Sequence, residues 1–172
     1  MTKDFKGSPP IGLTMRQALA VDPSGTVYTF VDGDKQPTHI ASRILYNALA
    51  SRGWPVTHCF IANSLITSLK EGTLGIEEPH ALKLPDAALD KPALVCEWGN
   101  DHVIADGNHR LWRRWKRGDE DFPAYVVPEE AWRHFVVLDI PGSGEDWDRF
   151  NREAQVRTPQ MERLLKLLTG GR

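Results

Sequence analysis

One stretch constrains this chain more than any other: Val103 to Gly118, reading Val-Ile-Ala-Asp-Gly-Asn-His-Arg-Leu-Trp-Arg-Arg-Trp-Lys-Arg-Gly. Val103-Ile104-Ala105 reads as the end of a strand. Asp106-Gly107-Asn108 is a sharp polar turn, and the basic run after it is a short helix that Gly118 stops. Gly107 permits a turn with positive φ and also lets an anion come close to the backbone. Upstream, Ala93–Trp98 and His102–Ala105 flank Gly99-Asn100-Asp101 as a β-hairpin. Downstream, Phe122–Val127 (Phe-Pro-Ala-Tyr-Val-Val) is a further strand. Strand, turn, helix and strand in this order mix both element types in one stretch, as an α/β (α+β) fold does. The turn is also built to hold a phosphate. The first backbone N–H groups of a helix lack partners within it and carry the positive end of its dipole.

The totals narrow the class. At 172 residues the chain fits one compact domain, and 41 % hydrophobic with 26 % charged residues suits a soluble globular protein. A net charge of −2 gives no global pull toward nucleic acid or anionic membrane, so any such pull is local. It is locally uneven: five Lys/Arg and one acid lie between Asp106 and Gly118, and Asp119, Glu120 and Asp121 follow at once. Two cysteines, Cys59 and Cys96, with no C-x-x-C, point to a reducing cytoplasm. Residues 1–10 lack the apolar run of a signal peptide, and no apolar stretch nears the roughly 20 residues of a membrane span. The expected location is cytoplasmic, with no membrane partner.

The remaining elements follow from local pattern. Leu13–Val21 reads as a short helix and Thr26–Val31 as a strand. Thr38 is the expected cap of a helix to about Arg52, with Ile40, Ile44, Leu45, Ala48 and Leu49 at helical spacing. Val56–Ile61 reads as a strand, and Asn63 or Ser64 as the cap of a helix over Leu65–Glu71. The segment with Gly75, Pro79, Pro85 and Pro92 reads as a loop that holds Glu77, Glu78 and His80. Pro128-Glu129-Glu130 opens a helical turn through Trp132, and His134–Ile140 reads as a strand. Two further helices are expected, over Glu145–Ala154 and after Thr158. Met161, Leu164, Leu165 and Leu168 form the apolar stripe of the last one, which packs on the domain or serves a homodimer. No composition break divides the chain.

The order hairpin, Asp106-Gly107-Asn108-His109-Arg110, helix, Gly118, strand resembles the ParB/sulfiredoxin superfamily, whose members carry an Asp-Gly-His-His-Arg-like signature here. The resemblance spans about residues 92–128. It implies a compact α/β (α+β) mixed sheet with flanking helices, a single ParB-like domain over residues 1–172 with helical additions at 38–72 and 145–169, that holds nucleotide phosphates at the turn. Sulfiredoxins place a catalytic cysteine inside the motif, where this chain has Asn108. Partition proteins of the ParB type bind CTP through an arginine-rich Gly-Glu-Arg-Arg version and carry a helix-turn-helix domain downstream, which the 44 residues after Pro128 do not suggest. The free-serine kinases of the superfamily look closest at the motif and use an upstream acidic residue as base. Glu77 or Glu78 would fill that role. The helix usually found between that acidic segment and the hairpin is expected to be missing here, replaced by Leu82-Lys83-Leu84-Pro85.

These residues define a candidate site. Asp106 would hold Mg²⁺, orient His109 or take a proton; otherwise it is a turn or cap residue. His109 would donate to a phosphoryl oxygen or do acid–base work, or else make a turn hydrogen bond at the surface. Arg110 offers a fork suited to phosphate, or an ion pair with Asp119 or Glu120. Gly107, Asn108 and Arg113 complete the phosphate-binding set. Arg113, Arg114, Lys116 and Arg117, interleaved with Trp112 and Trp115, would track a nucleic-acid backbone or form the solvated face of a helix whose other side is buried. His102, Asp106 and His109 lack a fourth partner for a structural transition metal. The leading expectation is a nucleotide-binding protein for Mg²⁺-dependent phosphoryl transfer or nucleotide hydrolysis, with a nucleoside tri- or diphosphate and Mg²⁺ as ligands. Whether it is an enzyme stays open. The alternatives are a non-catalytic accessory module that binds nucleic acid or protein, as in a mobile element, and an interaction protein that has lost the ligand.

Overall fold

Ala93–Trp98 (β4) begins with four buried residues in a row, so both of its faces are covered and it belongs in the interior of a sheet. In the computed structural model, which describes residues 12–31 and 37–140, it does so. Asp101–Asp106 (β5) pairs with it antiparallel, and Asp121–Val127 (β6) pairs with it parallel on its other side. Thr57–Phe60 (β3) closes the far edge, antiparallel to β6, giving the order β3-β6-β4-β5. Reaching β6 from β5 requires a crossover, and the helix Asn108–Arg117 (α5) supplies it.

Alternation along β4 and β6 sends side chains to two separate cores. Leu94, Cys96, Tyr125 and Val127 face Met15–Val21 (α1), Ser42–Ser51 (α2) and the buried Trp132 of Glu129–Trp132 (α6). Ala93, Val95, Phe122 and Ala124 face Leu111 and Trp112 of α5, Leu69 of Asn63–Glu71 (α3) and Ala81 of Glu78–Lys83 (α4). The protein is therefore a mixed α+β fold with helices on both faces of the sheet. On the first face Phe30 is wedged edge-on between Trp98 and Trp132, with ring centroids 4.9 and 5.9 Å away. Trp132 Nε1 donates to the Glu97 carbonyl at 2.7 Å and the partly buried Trp54 Nε1 to that of Val126 at 3.1 Å, so neither indole leaves an orphan donor. Among the described residues no helix is long and apolar enough to cross a membrane.

Four local expectations change. Pro37–Ile40 (β2) is a strand, paired antiparallel with Tyr28–Val31 (β1), and α2 starts at Ser42 with no side chain capping it. The β-branched Thr38 and Ile40 had a partner strand at hand, and Thr29 Oγ1 lies 2.8 Å from His39 Nδ1 across the pair. The Pro-flanked segment is not a loop. Pro79 sits in the first turn of α4, where its missing N–H costs nothing, and Asp86–Asp90 adds a 3-10 turn. A short helix thus precedes the hairpin where Leu82-Lys83-Leu84-Pro85 suggested none, although it starts within the acidic segment itself, at Glu78. His134–Ile140 is not a regular strand: Arg133–Phe135 is a 3-10 turn, followed by isolated bridges Ile40–Val136 and Leu13–Val137. α3 begins at Asn63 itself, with Ala62 at the cap position. The helices expected over 145–154 and 158–169 lie outside the described residues.

Candidate functional site

β5 ends at Asp106, and the chain must turn at once into α5. Gly107 makes that turn at φ 99°, and a Cβ there would lie 2.9 Å from the Ala93 Cβ and 3.0 Å from its Cα. Glycine is required twice over, for conformation and for space against β4. The first intrahelical bond is Leu111 N–H to the Gly107 carbonyl at 2.9 Å, and no side chain caps the helix. The amides of Asn108, His109 and Arg110 therefore precede the helical ladder, as an anion-binding terminus demands.

The side chains around this terminus are tightly assigned. Asp106 is half-exposed, and one carboxylate oxygen lies 3.6 Å from Arg110 Nη2. It is a strand residue rather than the helix cap, a position that Gly107 takes. Arg110 is 19 % exposed and donates from Nη2 to the Pro92 carbonyl at 3.0 Å. Its guanidinium carbon lies 6.0 Å from the ring centroid of Tyr46 on α2, while its Nε is buried without a partner. Burial pushes the Tyr46 hydroxyl up, and the Arg110 charge works against that rise. Asn108 donates from Nδ2 to the Leu74 carbonyl at 3.0 Å and leaves its buried Oδ1 unpartnered. His109 Nε2 accepts the Glu77 N–H at 3.1 Å, which fixes the neutral tautomer with its proton on Nδ1. The His80 ring stands edge-on to it, 4.9 Å between centroids. Burial, then the His80 charge, hold the His109 imidazole below the ordinary histidine range.

Glu77 thus reaches the turn through its main-chain N–H. Glu78 opens α4 in an exposed position, and no hydrogen bond or ion pair ties it to the turn. Arg113 does not serve the turn either. Its Nη1 donates to the carbonyls of Leu84 at 2.6 Å and Leu82 at 2.9 Å, with Ala81 at 3.4 Å, and its Nη2 to Asp86 at 3.0 Å. These groups close the C-terminal end of α4, where a cation is favoured. The rest of the basic run is also paired. Arg114 bonds the Leu89 carbonyl and Asp119 at 2.9 and 2.8 Å, and Arg117 bonds Asp119 at 2.6 Å. The Arg117 bond holds the Asp119 carboxyl below the usual range. Lys116 lies over the Trp112 and Trp115 rings.

A carboxylate at the turn fits Mg²⁺ in the way the ion is usually held, through one or two carboxylates plus substrate phosphates. Asp106 is that carboxylate, although Arg110 competes for it. His102 points elsewhere, 4.0 Å from Glu97, and among the described residues no three His, Cys, Asp or Glu side chains cluster as a metal site.

Sequence reasoning did not find the cavity on the α3 side of the sheet, which none of residues 106–110 lines. It holds about 640 Å³ between α3 and the sheet, over Val95, Ile104, Phe122 and Val126, with Leu65, Ser64, Ser68 and Phe60 on its walls. Asn100, Asp101 and His102 line it from the hairpin side, and Leu74, whose carbonyl Asn108 holds, joins it to the turn. Comparisons of the chain with known protein families, with curated proteins and with solved structures find no match.

Proposed function

We propose that the protein binds a nucleoside di- or triphosphate, with the phosphates at the start of α5 and the base directed past Leu74 toward the cavity, and acts on it by phosphoryl transfer or hydrolysis. The observation that carries this reading is the uncapped start of α5, around which Asp106, His109 and Arg110 converge. The leading amides and Arg110 would neutralise phosphate charge. Asp106 would share Mg²⁺ with the phosphates, and the ion would stabilise charge on the transferring group. His109 would donate to a phosphoryl oxygen, and Glu77 would serve as base. The cavity offers apolar and aromatic walls with the Ser64 and Ser68 hydroxyls, a mixture suited to a base.

Both cysteines are free, and burial pushes the Cys96 thiol up to about 12, so it is a packing residue. That usage supports a reducing cytoplasm. The nucleic-acid reading draws less support, since Arg113, Arg114 and Arg117 are spent within the fold.

A thermal-shift screen over nucleotides with Mg²⁺ tests the reading, because a ligand selective for the folded state raises its midpoint. At a hundred times Kd the expected rise is roughly 5–10 °C for a chain of this size. No rise with any nucleotide at millimolar concentration sinks it. Phosphate release that survives combined Asp106→Ala and His109→Ala substitution removes the catalytic assignment.

A further inference from the structure

Residues 74–86 cross in front of α5 and pack on the core below through Leu74, Ile76 and Ala81, the one buried side chain of α4. Three side chains of α5 hold this strap, and they do so almost wholly through its main chain. Asn108 grips the Leu74 carbonyl at one end. Arg113 grips the carbonyls of Leu82 and Leu84 at the other. Between them, His109 accepts the Glu77 N–H. The two end ties come from permanent donors, an amide and a guanidinium. The middle tie alone depends on protonation. An imidazole nitrogen accepts only while it is bare, and an imidazolium would turn an N–H against the Glu77 N–H.

We propose that His109 is a proton-operated latch on the strap: neutral, it pins Glu77 over the start of α5, and protonated, it releases the Glu77 main chain. The groups that face His109 define the switch. His80 on α4 and Arg110 on α5 oppose its charge, while the carboxylates of Glu77 and of Asp106 on β5 favour it. The consequence for the site rests on the nucleotide reading above. An anion arriving at the start of α5 favours the imidazolium, so ligand entry and strap release are linked, and the segment that carries Glu77 moves as the phosphates bind.

The latch is tested on the whole chain without ligand, by NMR. One readout is the titration of the His109 ring proton. The other is the exchange protection of the Glu77 amide, corrected for the intrinsic pH dependence of exchange. Expected in the wild type is a loss of Glu77 protection of about fivefold, the scale of one hydrogen bond, along the same midpoint as His109. In His109→Gln the amide oxygen takes the place of Nε2 and accepts at every pH, so protection persists through that range. His80→Phe keeps a ring against His109 and removes a like charge, which moves the coupled midpoint upward. Wild-type protection that ignores the His109 titration overturns the latch, as does a parallel loss in His109→Gln. Inorganic phosphate separates this inference from the site itself. If the latch titrates but phosphate leaves the His109 midpoint unmoved, the latch stands and the anion site falls.

Discussion

Both faces of the four-stranded sheet carry an apolar core, but they are completed differently. The face toward α1, α2 and α6 is closed by large apolar side chains and by indoles whose N–H groups are satisfied. The face toward α3, α4 and α5 keeps a cavity of about 640 Å³ and fastens its outer segment with polar bonds to main chain. Apolar packing is non-directional and cooperative, so the first face is a rigid support. Single polar bonds open locally at modest cost, so the second face can rearrange around a ligand. The turn at 106–110 sits where the two meet. Arg110 rests beside Tyr46 of the packed side, while Asn108 and His109 reach into the strap.

Substitutions break or sharpen this contrast. Trp132 is fully buried in the packed face, and Trp132→Ala is expected to cost about 3–5 kcal/mol in denaturant unfolding. Gly107→Ala combines a disfavoured φ with the Ala93 clash; about 2–3 kcal/mol is expected, with the turn displaced. Arg113→Ala frees the α4 carbonyls and is expected to cost about 1–2 kcal/mol, with faster proteolysis confined to residues 74–90. Leu65→Ala, on the cavity wall, should cost only about 1 kcal/mol, since one side of Leu65 already lacks packing partners. Equal costs for Trp132→Ala and Leu65→Ala would erase the distinction between the faces. The smallest effect is on pH. A histidine whose folded pKa lies below its unfolded value of 6.5 favours the folded state fully only above that value. His109 should therefore make stability fall as pH drops from 6.5 toward its lowered folded value, a slope that His109→Gln removes.

The sheet and the turn were legible because they depend on local pattern. Ala93–Trp98 and Phe122–Val127 are apolar runs bounded by turn residues, and Gly107 and Gly118 mark the limits of α5 with positive φ. Elsewhere the deciding partner was distant in sequence. Thr38–Ile40 became a strand because Tyr28–Val31 was there to pair with it. Pro79 read as a break, yet its place in a first turn made it a helix start. Of the site, Asp106, Gly107, His109 and Arg110 were visible as a cluster within five residues, whereas Glu77, expected as a carboxylate base, meets them through its main-chain N–H. Arg113 read as a phosphate ligand because charge alone does not show that carbonyls 29–32 residues away would claim it. The Tyr46 platform, the edge-on contact between the His80 and His109 rings and the cavity arise from packing across elements, which no local pattern records.

Calorimetric titration of a nucleoside triphosphate with Mg²⁺ into the wild type and into Arg110→Lys tests the start of α5 most directly. The lysine keeps the positive charge and loses the planar fork. Saturable binding to the wild type, weakened about tenfold or more by Arg110→Lys, is the expected result. Equal affinity in both proteins, or no binding to either, would contradict a phosphate site at this turn.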